Sequence, residues 1–202
     1  MAKLFYGAVF LLLSTLSFAQ PTWHIVSEHF PPYISATNNG NSWLVDITQA
    51  ALASQKIQSE IEITTWVRAL QLARKRKRTA VLGAYYSEQR SKVFYYSSPL
   101  GVAKTGFFKR TDHKIAFDGT LNSIKAHSIC VGSDYVVSDE FANNHELAVT
   151  ISKDLQTCLK LLYKGRVELV AGTYQLQVSF GWKTYPNLTS LLSIKLNIYN
   201  PI

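Results

Sequence analysis

The chain has little of what would classify it at a glance. It holds only two cysteines, Cys130 and Cys158, too few for a disulfide-dense scaffold. Its five histidines, His24, His29, His113, His127 and His145, are scattered with no i,i+4 pair, and no spacing suits zinc. Neither a metal centre nor a cofactor is expected. Low-complexity tracts and internal repeats are missing, which excludes collagen, solenoids and disordered chains. No nucleophile–base constellation stands out, so the chain does not read as an enzyme. Acids are scarce: 13 Asp and Glu face 21 Lys and Arg, leaving a net charge of +8. That balance suits anionic ligands, lipids or wall polymers without choosing among them.

Long apolar runs are missing too, with one exception. Lys3 precedes an apolar stretch from Leu4 to Leu16, and Ser17-Phe18-Ala19 sets small residues at −3 and −1 before Gln20. This is the order of a secretory leader, residues 1–19, cleaved after Ala19. The alternative is an uncleaved anchor, but the run is short of the roughly 20 residues a span needs. No second candidate follows, and neither cysteine lies where a lipid anchor would attach. The expected location is therefore the periplasm of a Gram-negative cell, with nothing spanning the membrane after cleavage. In an oxidising compartment Cys130 and Cys158 invite a disulfide; two buried free thiols are the other reading.

The remaining pattern alternates strands and helices. Strands are expected at Trp23–Glu28, Ile57–Thr64, Ala80–Gly83, Val102–Arg110, Ser128–Gly132, Leu147–Ser152 and Val167–Ala171. Asn38–Asn41 reads as a turn. Helices are expected at Val45–Gln55, with Val45, Ala50, Leu52 and Ala53 toward the core, at Val67–Lys77, at Ser138–Asn143 and at Asp154–Tyr163. The last carries Leu155, Cys158, Leu159 and Leu162 on one face and ends at Gly165, placed for a left-handed cap. Ser87–Lys92 is a polar turn or short helix. Two successive βαβ patterns joined near residues 101–112 argue an α/β protein of two lobes, 20–108 and 109–190, with 191–202 opening an incomplete return segment. Ligands of such folds sit at strand carboxyl ends, so the loops of interest are 28–33, 83–90, 132–136 and 171–175.

Four segments in those places carry a resemblance. They are Phe30-Pro31-Pro32-Tyr33, Trp43-Leu44-Val45-Asp46-Ile47, the block Gly83–Arg90 followed by Phe94-Tyr95-Tyr96-Ser97-Ser98-Pro99, and Leu161–Glu168 with its Gly165-Arg166 pair. In order and spacing they resemble the family 3 extracellular solute-binding proteins, the polar amino-acid-binding components of ABC importers. The resemblance implies a two-lobe binding-protein fold lacking most of its C-terminal return to the first lobe. It also implies a small polar ligand, an amino acid or related carboxylate, and an inner-membrane ABC permease or a sensor as partner. A monomer is expected.

The residue chemistry fits. A zwitterion needs a fixed cation, and Arg90 offers a bidentate fork for a carboxylate; a surface arginine is its plain alternative. Backbone donors at Gly83 and the rings of Tyr33 and Tyr85 would complete a first-lobe wall. Trp66, in Trp66-Val67-Arg68-Ala69-Leu70, reads equally as a cleft wall or a core plug, and Arg68 as a second cation or a solvated charge. Tyr135, in the loop Ser133-Asp134-Tyr135, would line the second lobe, with Asp134 where the family has glycine. Thr173, eight positions after Gly165, stands where the family has an acid for the ligand's ammonium. Thr173 cannot neutralise a charge, so either the ligand lacks an α-ammonium or Glu28 serves instead. Glu28 reads equally as an exposed strand-end carboxylate. The basic run 74–78 falls at a helix C-terminus, where cations complement the dipole, and no nucleic-acid partner is expected. The leading expectation is periplasmic solute binding for import or sensing. The alternatives are an exported enzyme on the same scaffold, dehydratase-like, or an interaction or sensing protein that has lost its ligand.

Overall fold

The computed structural model describes residues 21–36, 42–174 and 184–199, with side chains through 189. The expected leader and the 38–41 turn lie outside the described residues. Among those described, no helix is long and apolar enough to cross a membrane.

Two sheets carry the chain. The first is parallel, with β1 (Thr22–Glu28) between β2 (Gln58–Thr64) and β3 (Ala80–Val81). Helices α1 (Trp43–Ser54) and α2 (Trp66–Arg74) make its crossovers. In α1 the buried residues are Leu44 and Thr48, with Leu52 and Val45 packed at the margin. Ala50 and Ala53, expected inside, are exposed. The helix begins at Trp43, and its inward row runs 44, 48, 52 at i+4 steps, which turns 50 and 53 to solvent.

The expected strand 80–83 is broken. Gly83 has φ +83°, and the chain leaves β3 for β4 (Ala84–Tyr85), which belongs to the second sheet. An L side chain there would be strained and would bring a Cβ to 3.0 Å from Ile34 Cδ1. The second sheet has six strands in the order β4-β9-β5-β8-β6-β7. Its members β5 (Gly101–Arg110) and β9 (Leu188–Tyr199) run antiparallel over most of their length, with a register shift between Gly106 and Phe108. The strands β6 (Ser128–Gly132), β7 (Ala148–Ser152) and β8 (Leu169–Thr173) are parallel to one another. The short α3 (Glu88–Ser91) precedes β5; α4 (Asp139–Asn143) and α5 (Leu155–Tyr163) connect β6, β7 and β8. Alternation along β5 puts Phe107 and Phe108, both fully buried, into different clusters on opposite faces.

The α5 face is buried as its spacing predicts, at Leu155, Cys158, Leu159 and Leu162. Asp154 caps it by accepting from the Thr157 amide at 2.7 Å, and Gly165 ends it at φ +65°. Cys158 on this face is bonded to Cys130 of β6, their Cα atoms 5.5 Å apart, which resolves the two readings in favour of the disulfide. The bridge closes a loop with a sequence separation of 28. Its reduction is expected to cost about 3 kcal/mol and to lower the thermal midpoint by roughly 6–12 °C. Thermal unfolding with and without reductant checks this; an unchanged midpoint would mean that the bridge constrains nothing.

Candidate functional site

The carboxyl ends of β1 and β6, with the residues that follow them, meet the start of α2 and the β4–α3 turn, and Thr173 at the end of β8 reaches Tyr85. Six of the eight expected residues meet there. Glu28, Trp66, Gly83, Tyr85, Arg90 and Tyr135 all line one small cavity of about 20 Å³, room for roughly one water. Thr173 lies just behind, fully buried, its hydroxyl 2.7 Å from the Tyr85 hydroxyl. Tyr33 does not reach the cavity. The chain bridges back from Phe30 to Ile34 and turns Tyr33 inward, stacked on Phe30 at 5.1 Å and edge-on to Trp43 at 5.6 Å. Burial there pushes its phenol up to about 12. Phe30 and Ile34 take the lining positions instead.

Arg90 is the centre of the site. Ser87 caps α3 by accepting from the Arg90 amide at 3.2 Å, which fixes where the side chain starts. Arg90 is 6% exposed, and its guanidinium carbon lies 5.3 Å from the Trp66 ring centre. One terminal nitrogen donates to the Tyr85 carbonyl at 3.0 Å; the other donates across the cleft to the Asp134 carbonyl. Trp66 Nε1 donates to the same Asp134 carbonyl at 3.0 Å. Trp66 is thus a cleft wall with a cross-lobe hydrogen bond. Among the described residues, no carboxylate lies within ion-pair distance of Arg90. Burial pulls the guanidinium below its ordinary value, opposed by Tyr96, Asp134 and Glu28.

Asp134 holds φ +60°, the left-handed conformation that the family's glycine would adopt freely. That conformation turns its carbonyl toward Arg90 and delivers Tyr135. The Tyr135 ring packs over Gly132 so closely that a Cβ there would meet it at 2.6 Å. Its hydroxyl donates to both Glu28 oxygens, each at 2.8 Å. Glu28 is only partly accessible, not an exposed strand end. Burial raises its carboxyl to about 7, with Asp154 adding and Tyr135 and Arg90 opposing. Burial and the Glu28 charge push the Tyr135 phenol upward in turn.

Two wider hollows flank this centre. One, about 580 Å³, is lined by Glu28, Thr64, Thr65, Trp66, Tyr135 and the 153–156 turn. The other, about 820 Å³, is lined by Arg90, Asp134, Tyr135 and α4. Both are of ligand size. Tyr135 lines all three spaces, so it partitions the cleft. The role of the Asp134 main chain was not visible in the sequence; a non-glycine residue at a family glycine position was its one signal. Arg68, the second cation considered, is not among the lining residues of these spaces.

No protein-family model and no curated protein matches the sequence. Solved structures do match its fold. A histidine kinase sensor domain with similarity to periplasmic binding proteins superposes with TM-score 0.79 and 15% identity, over 91% of this chain and 82% of that one. Arginine-bound, truncated ArgBP from T. maritima gives 0.74 and 18%, over 90% and 87%. An arginine transport-system periplasmic binding protein from Legionella pneumophila gives 0.71 and 16%, over 90% and 86%. Strand order, parallel pairing and these superpositions together give the chain a two-lobe, periplasmic-binding-protein-like α/β fold.

Proposed function

We propose that the chain binds a small carboxylate-bearing solute between its lobes, outside the cytoplasm. It acts as a monomer without catalysing a reaction, and serves import through an inner-membrane permease or signalling through a sensor. One observation carries this reading: a buried guanidinium at the strand ends, held by main-chain carbonyls and with no carboxylate within ion-pair distance among the described residues. A ligand carboxylate would replace the Asp134 carbonyl on Arg90. A donor on the same ligand, an ammonium or a hydroxyl, would replace the Tyr135 phenol on Glu28, which supplies the acid that Thr173 cannot. The 580 Å³ hollow beside Glu28 would hold the remainder. Binding energy from both lobes then favours the closed state. The fold's solved neighbours with amino acids or a sensing role in their descriptions fit this reading.

A second reading rests on the 20 Å³ centre: the lobes satisfy each other's polar groups, as in an interaction protein with no ligand. A thermal-shift screen against amino acids, polyamines, organic acids and small sugars separates the two. A carboxylate compound at about a hundred times its Kd should raise stability by about 2.7 kcal/mol, a shift of several degrees. No response from a folded protein would favour the second reading, and mass-spectrometric turnover of a hit would indicate an enzyme.

A further inference from the structure

We propose that the basic run after α2 and the segment Lys92–Tyr95 form a docking surface for an anionic phospholipid bilayer. This surface adjoins the Arg90 centre through Arg74, which also lines the 820 Å³ hollow, but it does not depend on the ligand reading. The dipole of α2 accounts for a cation in its last turn, at Arg74. It does not account for Arg76 and Lys77, which lie past the cap residue Lys75, because the effect fades within the last turn. Arg74, Lys75, Arg76 and Lys77 are all exposed. Among the described residues none of the four has a carboxylate within ion-pair distance. Arg78 differs: it is held by Glu62 and by the Lys77 carbonyl.

Arg74, Arg76 and Lys77 border a groove of about 470 Å³ whose other wall is Val93, Phe94 and Tyr95. Phe94 is buried and anchors that wall, which leaves Val93 58% and Tyr95 86% exposed. Exposed apolar side chains this large, set beside uncompensated cations, match a membrane interface. Cations draw the surface to anionic headgroups, while a tyrosine ring sits at headgroup depth with its hydroxyl in water. An acidic protein would need fixed partners for particular guanidinium forks. None of these four side chains is held by another described side chain. That looseness suits a fluid lipid array better than a fixed mate.

Flotation of the purified protein with vesicles tests this. Phosphatidylcholine vesicles set the baseline, including any contribution from residues 4–16 where they are retained. Replacing about a third of the lipid with phosphatidylglycerol should raise the bound fraction at least tenfold at low salt, since each cation near such a surface contributes roughly fivefold. About 0.5 M salt should remove the gain. Arg76→Glu with Lys77→Glu should abolish it, Arg76→Gln with Lys77→Gln should reduce it, and Tyr95→Ser should lower it severalfold. All three variants should keep the wild-type thermal midpoint. No gain with the wild-type protein overturns the proposal, as does a gain that survives the double reversal. Equal binding to soluble polyglutamate, indifferent to Tyr95→Ser, also overturns it and assigns the patch to an acidic macromolecule.

Discussion

Arg90→Ala is expected to remove the response to any carboxylate ligand and to lower the thermal midpoint of the free protein by roughly 8–16 °C. Both effects follow from the same two hydrogen bonds. The guanidinium holds the Tyr85 carbonyl of its own lobe and the Asp134 carbonyl of the other. Bonds to a charged donor contribute about 1.5–3 kcal/mol each, and the stack on Trp66 adds roughly 1. Trp66 Nε1 still serves the Asp134 carbonyl after truncation, and Tyr96 still serves Tyr85 at 3.3 Å. Neither carbonyl is orphaned, so the net loss is about 4 kcal/mol, the low end of that sum. Arg90→Lys should recover little, because one ammonium cannot reach both carbonyls or stack flat on an indole. Calorimetry of free and ligand-saturated protein reads both losses. A variant with a normal midpoint and a normal ligand response would remove Arg90 from the site.

Much of this architecture was legible because local patterns were strong. The strand at 128–132 falls at its expected bounds, and the 155, 158, 159, 162 stripe of α5 is buried as its period requires. The phase of α1 differs from the expected one because the helix begins at Trp43 and not at Val45, and its inward row runs through 44, 48 and 52. The seventh strand starts two residues late for a local reason. Arg166 donates to Leu161 as the helix unwinds, and Glu168 is clasped by Ser128 and His127, so pairing begins at Leu169. The site divides in the same way. Glu28, Gly83, Tyr85 and Arg90 stand in strand-end loops that the strand–helix pattern marks, whereas Trp66 and the ligand role of Arg90 rest on the resemblance. Tyr33 was misplaced because the Phe30–Ile34 bridge reverses the chain within five residues. The contact of Tyr135 with Glu28 spans a separation of 107 and leaves no local trace.

Burial of Glu28 sets the second large effect, a stability that falls as pH rises from about 4.5 to about 7. In the unfolded chain Glu28 titrates near its ordinary 4.5; in the fold its carboxyl is held at about 7, chiefly by burial. Below 4.5 both states carry the proton, and the contribution is complete. Between the two values the folded protein keeps a proton that the unfolded chain has released, so stability drops by up to about 1.4 kcal/mol per pH unit. Above about 7 the loss is complete, at roughly 3 kcal/mol in all. Glu28→Gln should flatten this slope, since the amide cannot ionise, and Tyr135→Phe should extend it to higher pH by removing the bond that favours the carboxylate. Denaturant unfolding at several pH values reads all three profiles. A slope unchanged in Glu28→Gln would place the titration elsewhere. The same proton governs the ligand: an ammonium facing Glu28 gains from its charge, so affinity for a cationic solute should rise with pH up to about 7 and then level. A neutral hydroxyl donor should show a much weaker trend. The steepness with which affinity rises with pH therefore reports whether the group that displaces Tyr135 is charged.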